Sequence, residues 1–530
     1  MILRKSAFVC AVAVFIIGVV SCSHIDDSKL TEKNLKAARR TAAWKKRRVI
    51  MNNDGNDSRR AKEKTREAFL ASRTTPLIGS QVDAIMYCDG IWGTFTHVSP
   101  TADLRVGSDH GYKEWAVELV KDGGPDPLGS IVNFGRNNGI EVFWSLRMND
   151  THDSGDPTMM SPWKKSHPDC LVGNFKDRKK YKGGGRRWSA VDYSKKEVRE
   201  RTAGWFDEVG ARYAVDGFEL DFFRHPIFFK GPLMGKTATD ENRQQMTEVV
   251  RRIRAIADRH ALRRGRPVLV SVRIQDSVDY CRDIGLDIER WLQEGLIDMM
   301  TVSGYFRLNN WKTSVELGHR YDIPVIAGLS ESRVRKPKRA FKNKPEEYRG
   351  RAYAAWKEGV DAVYTFNLFN PESPVFREIG DPVSLATMSK IYTTGARDIR
   401  AANYWLAGGQ KYLGRPLPLC NRARKILFGK TVSVPVNIWD DLSDTSTGME
   451  AKAEFVLAGL NDAAKISVSV NGQDLVLDKR GEGKFFCQLP GCKLKLGENV
   501  FDLKVKDPAL KSVILQDLIV RVGPMLSSGD

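Results

Sequence analysis

Short apolar runs alternate with polar or amphipathic stretches between about residue 46 and residue 367. Two intervening stretches, 195–213 and 240–262, carry apolar residues at spacings of three and four, which predicts amphipathic helices. Strands alternating with helices predict a parallel sheet, and eight repeats predict a (β/α)8 TIM barrel. The rival is an open doubly wound sheet, but the chain has no glycine-rich phosphate loop to favour it. The predicted strands are RRVIMNND, QVDAIMYCD, IEVFWSLRMND, VDGFELDFF, RPVLVSVRIQD, LIDMMTVSGYF, DIPVIAGLSE and VDAVYTFNLFN.

The pattern changes after a stretch at 383–407 that is predicted to be helical. From 428 to 524 short runs alternate apolar and polar residues, and turn residues separate them, as in VNGQD and KLGENVF. This pattern predicts a small, immunoglobulin-like β-sandwich that serves packing, spacing or weak sugar binding. We therefore expect a catalytic barrel over 46–407 and an accessory C-terminal β-sandwich domain over 428–524.

Residues 1–22 have the features of an export signal. Arg4 and Lys5 precede an apolar run at 7–20 that is too short for a comfortable membrane span, and VVSC follows. The ending resembles a bacterial lipoprotein box with Cys22 as the lipidated residue. The alternative is an ordinary cleaved signal in which Cys22 is incidental. We expect a polar tether over 23–45 and an exported protein, either a cell-envelope lipoprotein (periplasmic, outer-membrane or cell-surface) or a secreted one.

The chain is strongly basic, with a formal net charge of +19. Export argues against nucleic acid as the partner and favours an anionic polysaccharide. Two basic runs, at 175–188 and 332–344, follow the third and seventh predicted strands and therefore lie on the mouth side of the barrel. This placement predicts an anionic substrate, sulfated or uronic. The alternatives are solubilising loops and a generally basic composition.

Eight cysteines occur, without a CxxC motif or a Cys/His cluster at zinc spacing. Export permits disulfides, and Cys487 and Cys492 flank a predicted turn, so we expect them to pair. The chemistry considered below requires neither a metal nor a cofactor.

The fourth predicted strand, VDGFELDFF, holds two carboxylates two residues apart. Because side chains alternate along a strand, Glu219 and Asp221 share one face with Gly217, and the apolar residues face the helices. The acids then point into the barrel near its C-terminal mouth, where barrel enzymes hold their active sites. Two like charges this close do not both ionise easily, so one pKa should rise, as a general acid requires. The alternative is a barrel-core salt bridge to Arg147 or Arg273.

Polar or aromatic residues also end the other predicted strands. Each is a weak signal alone, but their repetition at one mouth favours sugar binding, because amides and carboxylates bind hydroxyls and rings stack on pyranose faces. Trp92 and Trp163 add rings in loops, and local packing is the alternative for each. The predicted substrate-binding residues are Asn53, Asp54, Tyr87, Asp89, Trp92, Arg147, Asn149, Asp150, His152, Arg224, His225, Arg273, Asp276, Tyr305 and Asn367.

The motifs DGFELDFFRHP, MNNDG, SLRMNDTHD and YTFNLFN resemble those of the exported barrels called family-ten-like glycoside hydrolases, over roughly residues 46–370. The resemblance implies a TIM barrel that acts on polysaccharide. DGFELDFFRH is also similar to the fourth-strand motif of the alpha-amylase superfamily, which implies that Asp221 is a nucleophile, although Glu219 replaces that motif's arginine. In the large retaining clan of barrel hydrolases the acid/base ends strand four and the nucleophile strand seven, which implies Asp221 and Glu331. The chitinase-like motif has its acid at the position of Phe223, which excludes that mechanism.

Three hypotheses follow. The first is a glycoside hydrolase that uses two carboxylates. Asp221 is the leading catalytic residue, and Glu219 either shifts the pKa of Asp221 or is itself the acid. Glu331 is the second carboxylate, and Asp150 and Asp276 are the alternative catalytic carboxylates. Its partner is a carbohydrate, either anionic as the basic runs predict or neutral, and it meets the membrane only through the lipid anchor. The second is a non-catalytic glycan-binding lipoprotein on a barrel scaffold. The third is a polysaccharide lyase with a tyrosine or lysine base.

Overall fold

The computed structural model describes residues 29–104, 112–121, 123–155, 159–184, 187–330, 344–393, 395–396, 398–415, 419–420, 424–444, 446 and 448–524. Eight parallel strands pair in sequence order and close into a barrel, which confirms the predicted TIM fold. Every predicted strand is present. The barrel strands are β1 Val49–Asn53, β2 Val82–Tyr87, β3 Glu141–Arg147, β4 Gly217–Asp221, β5 Leu269–Ile274, β6 Met299–Val302, β7 Val325–Ser330 and β8 Ala362–Phe366.

Helices surround the barrel, and the two predicted from spacing are present as α6 and α8. In α8, the Thr239 hydroxyl accepts a hydrogen bond from the Asn242 amide, and Gly265 ends the helix at φ 69°. No helix of the described ranges is long and apolar enough to cross a membrane. The helices are α1 Glu32–Ala43, α2 Arg66–Ala71, α3 Tyr112–Val120, α4 Pro127–Asn138, α5 Pro162–Ser166, α6 Lys196–Arg212, α7 Lys230–Leu233, α8 Asp240–Arg264, α9 Val278–Ile284, α10 Ile288–Gln293, α11 Trp311–Arg320, α12 Pro345–Lys357, α13 Val375–Glu378, α14 Pro382–Ala386 and α15 Asp398–Trp405.

Helix α1 lies within the segment predicted to be a polar tether, and it packs against the barrel. Leu35, Arg39 and Ala43 form its buried face. Arg39 donates to the Asp258 carboxylate at 3.1 Å and to the Gly295 carbonyl at 2.9 Å. The described part of the predicted tether is therefore a helix packed on the barrel. Its three buried side chains recur at helical spacing within a run that is polar overall.

The stretch 383–407 is not one helix. Between α14 and α15 the chain forms β9 Lys390–Thr393, which pairs antiparallel with a C-terminal strand. The buried Lys390 ammonium donates to the carbonyls of Ala386 and Met388 and forms an ion pair with Asp440 at 2.9 Å. The spacing of apolar residues did not predict this strand, because its pairing partner lies more than a hundred residues away in the sequence.

The C-terminal region forms two antiparallel sheets that share one core. One sheet joins β9 to the last strand and its neighbours, and the other has four strands. Phe455 and Phe501 face each other from the two sheets at 6.0 Å between ring centroids. Cys487 and Cys492 have free thiols, so the predicted pairing is wrong. The strands are β10 Arg424–Leu427, β11 Thr431–Ile438, β12 Met449–Ala458, β13 Ile466–Val470, β14 Gln473–Leu475, β15 Lys484–Leu489, β16 Gly497–Val505 and β17 Ser512–Pro524.

Candidate active site

The two acids of β4 point into the barrel. Glu219 accepts a hydrogen bond from Ser145 on β3 at 2.5 Å and another from Tyr364 on β8 at 3.3 Å. Strands β4 and β8 lie on opposite sides of the barrel, so the second bond crosses its interior. Phe218, one residue away, instead packs edge-on against Phe206 of α6. The alternation expected from the sequence therefore holds.

Asp221 forms a buried salt bridge with Arg273, its register partner on β5. Arg273 Nε donates to one carboxylate oxygen at 3.0 Å and a terminal nitrogen donates to the other. The first oxygen also accepts from the backbone amides of Phe223 and Arg224, at 2.9 and 3.0 Å. Both carboxylate oxygens are thus occupied, which is the salt-bridge alternative weighed above, and Arg273 is not free to bind substrate.

Glu219, unlike Asp221, does not have both carboxyl oxygens occupied by hydrogen bonds. It is fully buried, and one of its oxygens has no hydrogen-bond partner in the described part of the chain. Burial raises the pKa of Glu219 to about 7 even though Arg273 acts to lower it, and the charge of Asp221 adds to the rise. Glu219 therefore stays protonated at mildly acidic pH, as expected for one of two close acids, while Asp221 is held in its salt bridge with Arg273.

Replacing Glu219 with glutamine is expected to remove a pH dependence of stability. The carboxyl ionises near 4.5 in the unfolded chain and near 7 in the folded one. The unfolded state thus binds fewer protons between these values, so stability is complete below 4.5 and falls by about 3 kcal/mol as the pH rises to 7. Urea unfolding at pH 4.5, 6 and 8 should show this fall in the wild type and not in Glu219→Gln. The same slope in both proteins would contradict the assignment.

Two further aspartates at the mouth also have arginine partners. Asp54 pairs with Arg73, and Asp150 pairs with Arg147 at 2.8 Å. Burial alone would raise the pKa of both carboxyls, but Arg73 holds that of Asp54, and His152 followed by Arg147 holds that of Asp150, below the usual range. These acids stay ionised, so neither is a protonated acid at neutral pH.

A pocket of about 430 Å³ opens at this mouth. Three arginines, two histidines and three aromatic rings surround it, so its lining is cationic and aromatic. Loops after β3, β4 and β6 supply part of the lining, and α15 closes one side. The lining residues are His152, Arg187, Arg224, His225, Tyr305, Arg400, Ala401, Tyr404 and Trp405.

Arg224 differs from the other arginines near the strand ends. No carboxylate within the described ranges lies within salt-bridge distance of it, and its Nε has no hydrogen-bond partner there. One terminal nitrogen donates to His152 Nε2 at 3.1 Å, and the guanidinium lies 5.4 Å from the centre of the Tyr305 ring. Burial, aided by the charge of Arg147, lowers the pKa of Arg224 to about 10. The charges of Asp150, Asp54 and Asp221 act on it only from beyond salt-bridge distance, so an anion that enters the pocket would stabilise this half-buried cation further.

Asp150 and Arg224 together favour the tautomer of His152 that carries a proton on Nδ1 and a lone pair on Nε2. Asp150 lies 2.6 Å from Nδ1 and can only accept, whereas Arg224 can only donate to Nε2. Nδ1 of the adjacent His225 accepts from the Thr151 amide at 2.9 Å. Burial lowers the pKa of His225 well below its usual range, so the His225 imidazole is neutral.

Asp150, His152 and His225 are also the described group that comes closest to a metal-ligand set, with ligand atoms within 4.8 Å of one another. Their chemistry does not fit a cation. The Asp150 oxygens already accept from Arg147 and His152, and the Nδ1 lone pair of His225 is engaged. Two guanidinium groups beside the set oppose a further positive charge. We therefore treat the three residues as a hydrogen-bonded network.

Several predicted substrate-binding residues lie in the core, away from the pocket. Trp92 is fully buried against Trp163 and Trp205, so it cannot stack on a sugar. Tyr87 is fully buried as well, and Asp89 accepts from Trp144 and pairs with His97. Local packing, the alternative considered for the tryptophans, is correct for Trp92 and Trp163.

Other predicted residues support loops. Asn149 donates to the carbonyls of Val191 and Ile227, and Asp276 accepts from the amides of Leu308 and Asn309. Asn53 donates to Asp57 at 2.9 Å, and Asn367 follows β8 at φ 61° without lining the pocket. These polar side chains recur at strand ends because buried polar groups of the loops need hydrogen-bond partners, and the resulting sequence pattern looks like that of a binding site.

Four predicted residues, His152, Arg224, His225 and Tyr305, do line the pocket. Sequence reasoning missed Arg187, Arg400, Tyr404 and Trp405. The sequence does indicate Arg187, because the basic run 175–188 that contains it is predicted to lie on the mouth side of the barrel. Arg400 and Tyr404 are four residues apart and so share one face of α15, but nothing in the sequence indicated which face met the barrel. Glu331, Cys22 and the basic run 332–343 lie outside the described residues.

No protein-family model matches the chain, and no curated protein matches it in sequence. It is similar to the solved structure of a family 18 N-acetylglucosaminidase from Paenibacillus barengoltzii, with 13% identity over 62% of this chain and 99% of that one and a TM-score of 0.35. It is also similar to a family 18 chitinase from Chromobacterium violaceum, with 10% identity over 91% of this chain and 92% of that one and a TM-score of 0.36. An alpha-amylase from Geobacillus thermoleovorans gives 12% identity over 87% of this chain and 100% of that one, at 0.35. Likeness at this level assigns neither family nor substrate.

Proposed function

We propose that the protein is a carbohydrate-cleaving barrel enzyme, a glycoside hydrolase by the sequence prediction, whose substrate is a sulfated or uronic polysaccharide. The observation that carries the proposal is Arg224, a half-buried guanidinium without a described carboxylate partner, facing the mouth pocket. Arg187 and Arg400 face the same space. Planar guanidinium groups bind carboxylate and sulfate oxygens in pairs, so an acidic sugar supplies the missing charge.

The aromatic part of the lining supports a sugar over a simple anion. Trp405 lies against His225 at 5.3 Å between ring centres and Tyr404 meets it edge-on at 4.8 Å. Tyr305 forms another wall of the pocket. Rings of this kind pack on the apolar faces of pyranoses while their polar edges bind hydroxyls.

Hydrolysis would use the acids of the strand ends. Asp221, which Arg273 holds in a buried salt bridge, would be the nucleophile, and Glu219 beneath it retains its proton up to about pH 7. Glu331, which follows β7, remains the predicted second carboxylate. An exported, lipid-anchored location is part of the proposal, because it brings the enzyme to polysaccharide outside the cytoplasm.

The test is a screen of the purified protein against sulfated and uronic polysaccharides and their neutral counterparts. New reducing ends with acidic chains alone are the expected result, and Arg400→Met, which removes one pocket cation, should lower the rate about 10-fold. Arg320→Met, on α11 outside this pocket, is the matched control and should change nothing. Cleavage of neutral chains at equal rates would refute the anionic substrate. Tight binding without products would instead establish a non-catalytic glycan-binding protein.

A further inference from the structure

The mouth pocket combines a histidine held by a buried carboxylate with an adjacent arginine that has no carboxylate within salt-bridge distance among the described residues. We propose that the pocket cleaves uronate-containing chains by β-elimination, with His152 as the base that takes the proton from C5 of the uronate. The inference rests on the proposed anionic carbohydrate substrate, and it replaces two-carboxylate hydrolysis with β-elimination as the cleavage reaction at this pocket.

The hydrogen bonds of His152 orient it as a base. The 2.6 Å contact with the buried Asp150 carboxylate fixes the proton on Nδ1, so the lone pair of Nε2 points toward Arg224 and the pocket. Arg147 holds the other oxygen of Asp150 at 2.8 Å and thereby fixes the orientation of the carboxylate. A carboxylate that orients a histidine and stabilises its protonated form is the arrangement of known base-catalysed sites.

Arg224 lies where elimination requires a cation. In a uronate the carboxylate is bonded directly to C5, so a carboxylate that pairs with Arg224 brings the C5 proton next to the base, since Arg224 and His152 Nε2 are 3.1 Å apart. Neutralising the carboxylate also makes the C5 proton more acidic, because the carbanion-like charge spreads onto the carboxylate. The incoming carboxylate takes over the guanidinium donor and frees the Nε2 lone pair.

The reaction balances without water. The C5–H bond breaks and its proton goes to His152 Nε2. The electron pair forms the C4=C5 double bond as the C4–O4 bond breaks. The leaving oxygen takes a proton from the Tyr305 hydroxyl, which regains one from solvent as His152 releases its own. Tyr305 is suited to this because it lines the pocket and its ring adjoins the Arg224 guanidinium.

The composition of the pocket distinguishes the two reactions. Two-carboxylate hydrolysis needs an acid and a second carboxylate flanking the bond. Among the described residues the lining holds arginines, histidines and aromatic rings, while the nearby aspartates 54, 150 and 221 are each paired with an arginine. Elimination needs a base, a proton donor and cations, and these are the groups that face the pocket.

The test incubates the full chain with polygalacturonate, alginate and hyaluronan, with EDTA in a parallel arm. The expected result on at least one chain is ultraviolet absorbance from the unsaturated uronate, rising with the reducing ends and unaffected by EDTA. Saturated ends that incorporate ¹⁸O from labelled water would overturn the inference and leave the proposed hydrolase intact. Absence of both binding and cleavage across these and sulfated chains would overturn the proposed function as well.

Single-residue variants test which side chains transfer the protons. His152→Gln should lower kcat about 100-fold with little change in KM, and Tyr305→Phe should lower kcat in the same way. His319→Gln is the matched control, because His319 pairs with Asp361 outside the pocket and should leave the rate unchanged. Thermal unfolding checks that each variant is folded. Unchanged elimination in a folded His152→Gln protein would refute His152 as the base.

Discussion

Replacing Arg224 with methionine is expected to weaken binding of the anionic carbohydrate about 1000-fold, because the variant loses one partner of a desolvated charge pair. Methionine retains part of the apolar stem and removes the guanidinium. Arg224 has no carboxylate partner in the described part of the chain, and burial disfavours its charge, so the free variant should stay folded and unfold at a higher temperature than the wild type. Calorimetric titration and thermal unfolding measure the two effects.

A gain in stability with a loss of affinity separates a ligand-binding role from a structural one. Arg224→Lys should lie between wild type and Arg224→Met, since lysine retains the charge but not the paired donors. Arg259→Met is the matched control, because Arg259 is exposed on α8 and pairs with Asp207. Equal affinity in Arg224→Met and wild type, or a destabilised Arg224→Met, would contradict the role given to Arg224.

The Asp221→Asn variant is expected to lose about 3–5 kcal/mol of stability, in addition to any loss of activity, because it leaves the Arg273 charge buried without its partner. Asp221 also accepts the backbone amide of Arg224, so its loss should loosen the pocket. A catalytic carboxylate without this salt bridge would tolerate asparagine without unfolding. Urea unfolding with a fit of the midpoint and slope measures the difference.

The double variant Asp221→Asn/Arg273→Met removes both charges and should recover most of the lost stability. Arg259→Met breaks an exposed pair with Asp207 and should cost less than about 1 kcal/mol, which makes it the comparison for a surface salt bridge. Additive losses in the double variant, or a normal stability in Asp221→Asn, would show that the buried pair is not coupled.

The barrel was predictable because its signal is local. Each strand is an apolar run, the helices between them have regular spacing, and the alternation of Glu219 and Phe218 on β4 already indicates which face is interior. The rise in the pKa of one β4 carboxyl was also predictable, because it needs only two acids in a buried strand. Strand β9 was not, because its partner is distant in the sequence.

The site was predictable only in part, because partners decide what a polar side chain does. Asp89 and Asn149 look like mouth residues in the sequence, yet they bind Trp144, His97 and backbone carbonyls in the core. Arg224 and Arg273 look alike, and only the structure gives Arg273 a carboxylate and leaves Arg224 without one in the described ranges. Charge pairing is a property of three-dimensional neighbours, which spacing along the chain does not encode.

The central claim is that the mouth pocket recognises the negative charge of a carbohydrate. It is tested most directly by titrating the wild-type protein with polyuronates and sulfated glycans, each paired with its methyl-esterified or desulfated form. The predicted result is at least one acidic chain that binds about 100-fold more tightly than its neutral counterpart, with affinity that falls as salt rises. Equal affinity for both members of every pair would contradict it.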